Sequence, residues 1–212
     1  MGIIIELQKL SIDSNCDVLS LLRKAYLVSR KLDINDFQEW ITYELNGYDN
    51  FDKIPDYRII TGTLKGFNPY RGWIPIIIPN QELEKTICTH KLHDSIPSLI
   101  TLIDNADNNH LSLQLPGAVI QTICSMTGHD ANYELQISPN SISNVVEQVK
   151  NKILDWSLLL EEAGILGNDL QFSDTEKELV HSSPKIINYV SNFYGNIDNS
   201  KLQQGTNNSS IN

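Results

Sequence analysis

Residues 138–164 read SPNSISNVVEQVKNKILDWSLLLEEAG, and this stretch decides the fold. Ser138 followed by Pro139 announces a helix. The serine side chain can accept from free amides of the first turn, and the proline has no amide to leave unpaired. Ile142, Val145, Val149, Ile153, Trp156, Leu160 and Ala163 then recur at three- and four-residue steps, which lays them in one stripe. The stripe ends before Gly164. At about 1.5 Å per residue the helix is roughly 35–40 Å long, enough to cross a whole domain. So continuous an apolar stripe fits the central helix of a core; the alternative is a helix that pairs between two copies.

Working upstream, Tyr133 to Ile137 alternates as a short strand, and three short helices precede it: Pro116 to Met126, Ser95 to Asp104, and Gln81 to about Lys91. Before these the period changes to two. Tyr57, Ile59, Thr61 and Thr63 alternate with their neighbours as a strand. The turn-rich Gly66 to Gly72 then leads to a second strand, Trp73 to Ile78. This predicts a β-hairpin lying against the opening helices, with Pro75 marking an edge or a bulge, since proline cannot donate to a ladder. The opening helices are two. Ser14 to Asp17 forms a capping box before Val18 to Leu32, and Asn35 opens a helix carrying Phe37, Trp40 and Ile41, with Gly47 beyond its end. Downstream, Ser173-Asp174-Thr175-Glu176 is another capping box. The fold class expected is α+β: a mainly helical domain with a small β-hairpin layer and a polar C-terminal tail. The expected division is a globular domain over 1–182, a linker or strand over 183–194 and a self-association tail over 195–212.

Composition narrows the function. Asp and Glu number 26 against 16 Lys and Arg, giving a formal charge of −10. Such a surface repels phosphate backbones on average, so generic nucleic-acid coating is disfavoured, although a local basic patch escapes the argument. Cys16, Cys88 and Cys124 form neither a CxxC pair nor a disulfide framework, which suits a reducing compartment. No apolar run approaches the roughly 18 residues of a membrane span, and Met1 to Ile5 has no signal-peptide character. A cytoplasmic location is expected, with no membrane partner.

Several phrases carry a family resemblance. Leu21-Leu22-Arg23-Lys24-Ala25, Glu39-Trp40 and Glu44-Leu45-Asn46-Gly47-Tyr48 come first. Pro55-Asp56-Tyr57-Arg58 and Pro69-Tyr70-Arg71-Gly72-Trp73-Ile74-Pro75 follow, then Asp155-Trp156-Ser157-Leu158, Gly164-Ile165 and Phe172-Ser173. In this order they resemble the AbiTii domain, over roughly residues 15 to 180. The resemblance implies phage defence by abortive infection. It supplies no catalytic motif to place on numbered residues.

The residues themselves suggest few reactions. Cys88, His90 and His93 have the ligand types of a zinc site, with both histidines on one helical face, but a tetrahedral site normally needs a second ligand pair, which only Cys124 and His129 could supply; two surface histidines on a solvated helix end is the plainer reading. His129-Asp130 follows Gly128 without the further residues a phosphohydrolase needs. No GxSxG, GK[ST] loop or HExxH occurs, so no cofactor is expected. A metal-dependent nuclease or phosphohydrolase toxin, and a regulator of a neighbouring toxin, stand as alternatives to a non-enzymatic sensor or adaptor. The hairpin is more informative. Tyr70, Arg71 and Trp73, with Arg58 and Lys65 nearby, have the composition of a binding hot spot; a structural arginine satisfying loop carbonyls is the competing reading. In the tail, Asn199, Ser200 and Leu202 are echoed by Asn208, Ser209 and Ile211 around Gln203-Gln204-Gly205. Amide-rich repeats of this kind favour stacked strands between chains, and they are similar to bacterial amyloid-signalling motifs. The expected partners are further copies of the chain, an effector or toxin encoded nearby, or a phage protein.

Overall fold

A computed structural model describes residues 2–106 and 111–193. In chain order its elements are α1 (Ile3–Ile12), α2 (Val18–Lys31) and α3 (Asn35–Asn46), then 3-10 turns at Phe51–Lys53 and Asp56–Arg58. β1 (Ile59–Thr61), β2 (Thr63–Asn68), β3 (Gly72–Pro75), α4 (Gln81–Cys88), β4 (Thr89–Lys91) and α5 (Ile96–Asp104) follow. The chain continues as β5 (Leu111–Gln114), α6 (Gly117–Thr127), β6 (Tyr133–Ile137), α7 (Pro139–Glu162), α8 (Asp174–His181) and α9 (Pro184–Ile187), and a 3-10 turn at Tyr189–Phe193. Helix dominates beside two small antiparallel sheets, the α+β class expected.

The stripe of α7 organises the main core. Ser138 caps the helix by accepting from the Asn140 amide, and Ile142, Val145, Val149, Ile153, Trp156 and Leu160 are all buried. α1 lies along α7, burying Ile3, Ile4 and Leu7. Across from it, Phe37 of α3 stacks on Trp156 with ring centroids 3.9 Å apart. Burying each such side chain is worth about 1.5–3 kcal/mol. α1 adds a third helix ahead of the two expected to open the chain, and Ile3, Ile4, Leu7 and Leu10 have the helical spacing for it. The cap of α2 is Asp17, not Ser14, and it accepts from the Leu19 amide.

A second, smaller core changes the place of the hairpin. The four-stranded sheet runs in the order β3-β2-β6-β5. Its inner residues Leu64, Tyr133 and Leu135 pack with Ile78, with Ile87 and Cys88 of α4, and with Ile123 of α6. The hairpin β2–β3 therefore rests on α4 and α6 rather than on the opening helices. β3 is an edge strand, as Pro75 demands. The alternating stretch from Tyr57 is not one strand. It starts as a 3-10 turn and breaks at Gly62, where β1 leaves to pair with β4 in a separate two-stranded sheet. The Gly62 amide donates to Cys88 O at 2.8 Å, and a Cβ there would lie 2.6 Å from Leu135 Cγ. Only glycine fits where the two sheets part.

Within residues 183–194, expected as a linker or strand, Pro184–Ile187 form α9 and Tyr189–Phe193 a 3-10 turn, and both belong to the folded body. Ile186, Tyr189, Val190 and Phe193 are buried in the main core. Phe193 packs edge-on against Trp40 and Tyr189, each at 5.1 Å. The three- and four-residue spacing of these apolar residues, preceded by Ser183-Pro184, reads as a linker only when Pro184 is taken as a breaker instead of a first-turn residue. The tail 195–212 lies outside the described residues.

Candidate recognition surface

Two arginines of the expected hot spot separate completely. Arg58 is 0% exposed. It donates from Nε to Glu44 Oε1 at 3.1 Å and from Nη2 to Glu44 Oε2, forming a two-point pair inside the protein. Its Nη1 donates to Leu92 O at 3.1 Å and to Asp94 O at 2.8 Å, tying α3 to the link between β4 and α5. Its guanidinium lies 4.8 Å from the centre of the Tyr48 ring. Glu44 Oε1 also accepts from the Tyr48 and Tyr57 hydroxyls, both at 2.6 Å, and Trp40 Nε1 donates to Tyr57 Oη at 2.8 Å. Burial works against the charge on Arg58, but Glu44 outweighs it and pushes its pKa up. Burial, then the Glu44 charge, pushes the Tyr48 hydroxyl far above its usual range. Arg58 is thus removed from the binding surface expected of it. A buried charge must be paired, and Glu44, near the end of α3, is its partner.

Tyr70, Arg71 and Trp73 stay at the surface. Asn68 builds their turn. Its Oδ1 accepts from the amides of Tyr70 at 2.9 Å and Arg71 at 3.1 Å, while its carbonyl accepts from the Arg71 amide at 3.2 Å. Pro69 presets the first turn position. Gly72, at φ 70°, takes the left-handed conformation that returns the chain into β3. Tyr70 is 95% exposed at the tip. Behind it Trp73 faces Phe67 across the strand pair, with ring centroids 5.4 Å apart in a T-shaped contact. Both rings are substantially exposed, at 38% and 42%.

The strand register carries this pair onto a broader surface. Side chains alternate across a sheet, and the inner set Leu64, Tyr133, Leu135 and Ile137 is buried. The outer set places Phe67 opposite Trp73, Lys65 opposite Pro75 and Glu134, and Gln136 opposite Thr63 and Ser112. Thr63, Phe67, Trp73, Pro75, Ser112 and Gln114 on this outer face are all exposed. Among the described residues it is an open sheet face. At the hairpin end a groove of about 340 Å³ is lined by Phe67, Ile74, Ile76, Thr127, His129 and Tyr133, among others. The Tyr133 hydroxyl lies 2.8 Å from Thr127 Oγ1 and donates to His129 O at 3.0 Å, closing the turn after α6.

Beside the expected Tyr70, Arg71 and Trp73, the strand register brings Phe67, Gln114 and Gln136 to this face. β5 was not expected at all. Its Leu111 and Leu113 alternate with Ser112 and Gln114, and that was the available signal. The weak metal alternative does not assemble. His90 stands in β4 opposite Ile60 and not on a helix, so it shares no helical face with His93, and Cys88 is buried in the second core. Among the described residues no group of three or more His, Cys, Asp or Glu side chains is arranged to hold a metal ion. Nor is any helix among them long and apolar enough to cross a membrane.

No curated protein and no solved structure matches the chain. The AbiTii family model matches residues 2–185, which takes in the second core, the main core as far as α8, the Arg58–Glu44 pair and the exposed hairpin. On that match the chain belongs to the AbiTii family, a membership that points to phage defence by abortive infection.

Proposed function

We propose that this AbiTii protein is a non-enzymatic sensor or adaptor in which the hairpin face recognises a phage or host component and the tail 195–212 joins copies of the chain or recruits an effector. The observation that carries the reading is the pairing of Phe67 and Trp73 on an open sheet face beside a tip carrying Tyr70 and Arg71. Folding favours burial of large aromatic rings, and exposed clusters of them with arginine mark binding surfaces. The turn hydrogen bonds of Asn68 hold the tip in place before any partner arrives, which lowers the ordering cost of binding. A phage challenge tests the recognition half. A Tyr70→Ala/Trp73→Ala variant is expected to fold and accumulate normally while the efficiency of plating rises to that of undefended cells. Retained protection at normal abundance would remove the hairpin from the mechanism. The assembly half is tested by size-exclusion chromatography with and without residues 195–212. The full chain is expected to elute as the larger particle, and identical elution would remove the tail's role.

A further inference from the structure

We infer that the open face of the four-stranded sheet is a stacking platform for single-stranded nucleic acid. The inference rests on reading that face as the recognition surface and names its ligand.

Four features of the face converge. First, Phe67 and Trp73 lie side by side on neighbouring strands, each with ring area in solvent. Bases of a single strand stack on such rings with little regard to sequence. Second, charge on the face runs against that of the whole chain. Of 26 acidic and 16 basic residues in the protein, the four strands carry one of each, Glu134 and Lys65, and the turn adds Arg71. Glu134 stands opposite Lys65 and accepts from Gln136 Nε2 at 2.9 Å, so Lys65 and the exposed Arg71 leave the four strands and their turn with a net positive charge for phosphates to meet. This is the local exception that the overall charge of −10 leaves open. Third, Thr63, Ser112 and Gln114 line the rest of the face with exposed hydroxyl and amide groups, able to donate to and accept from base edges. Fourth, the face is a sheet and not a cleft. A duplex hides its bases, whereas a single strand can splay them onto a flat aromatic surface.

The test is a titration of the full chain into a fluorescein-labelled oligouridylate about twelve nucleotides long, within the span such platforms cover, followed by anisotropy at low salt. Binding is expected, with a matched duplex bound much more weakly. Phe67→Ala/Trp73→Ala should weaken binding by roughly tenfold or more. Lys65→Ala/Arg71→Ala should also weaken it, and should flatten the logarithmic salt dependence by about 0.7 for each phosphate left without its cation. Unchanged circular dichroism in both variants shows that folding is not the cause. No binding by the wild-type chain, equal binding of duplex, or equal affinity in the aromatic variant would each overturn the inference. Failure of the wider reading looks different. If the aromatic variant loses phage protection while the wild type binds no oligonucleotide, the recognition face stands and its ligand is not nucleic acid. If the oligonucleotide binds but protection survives in the aromatic variant, the face does not serve defence.

Discussion

Arg58 and Arg71 each directly follow a tyrosine in the chain, yet the fold gives them opposite work. Arg58 lies inside, its guanidinium paired with Glu44 and with two backbone carbonyls. Arg71 lies outside on a turn whose hydrogen bonds are made by Asn68. The difference comes from where the local chain can find a carboxylate. Glu44 is buried on α3 within reach of the 3-10 turn that carries Arg58, so desolvating that charge is compensated. The hairpin tip, beyond the edge of a four-stranded sheet, offers solvent instead. Residue types alone do not distinguish a buried structural arginine from an exposed one; the neighbouring acid does.

Variants can pull the two regions apart. The largest effect is expected for Arg58→Met, which leaves the fully buried Glu44 carboxylate without its counter-charge at a cost of about 3–5 kcal/mol; urea unfolding followed by circular dichroism measures it. Glu44→Gln should be similarly costly, and Arg58→Met with Glu44→Gln should lose less than the sum of the two, since the second change removes the orphaned charge left by the first. A loss near the sum would mean that the pair is not coupled.

An alkaline effect comes next. The Tyr48 hydroxyl titrates far above its usual range in the folded chain because burial, then Glu44, opposes its ionisation. With the folded pKa raised, the stabilisation is complete below about pH 10, where the unfolded tyrosine begins to ionise. It then falls by about 1.4 kcal/mol per pH unit as pH climbs toward the folded value. Tyr48→Phe should remove one proton from the slope of unfolding free energy against pH, at the expense of one hydrogen bond to Glu44. An unchanged slope would contradict the account of that site.

Smaller still is the capping box of α8. Burial alone would raise the Glu176 carboxyl, but the amides of Ser173, Gly167 and Leu166 outweigh it and hold the carboxyl below its usual range. With the folded pKa depressed, this contribution is present above about pH 4.3 and is lost as pH falls through the folded value. Glu176→Gln should cost about 1 kcal/mol at neutral pH and remove that acid dependence, both visible in thermal melts. The smallest effect on stability belongs to the hairpin. Tyr70→Ala acts on an almost wholly exposed side chain and should shift unfolding by less than about 0.5 kcal/mol.

How much of this was legible depended on whether the deciding contact was local. The span and buried stripe of α7, strand β6, the capping box of α8 and the edge position forced by Pro75 all follow from neighbours in sequence, and all are present. The partition at Gly62 was not legible, because the groups that exclude a side chain there come from Leu135 and Gln136. The same holds for Arg58, whose carbonyl partners at Leu92 and Asp94 come from a distant link. In the proposed recognition face, Tyr70, Arg71 and Trp73 could be read from their turn. Gln114, Gln136 and the alignment of Phe67 with Trp73 needed the strand register. The amide-rich segment over 195–212 was visible in composition alone, and its contribution rests on the assembly experiment.

The most direct test sets the two arginine regions side by side in phage-challenged cells, comparing Tyr70→Ala/Trp73→Ala with Arg58→Met for both plating efficiency and soluble protein. The account predicts that the hairpin variant keeps wild-type abundance and loses protection, whereas the Arg58 variant loses protection only in proportion to the folded protein it loses. Full protection by an abundant hairpin variant would contradict it.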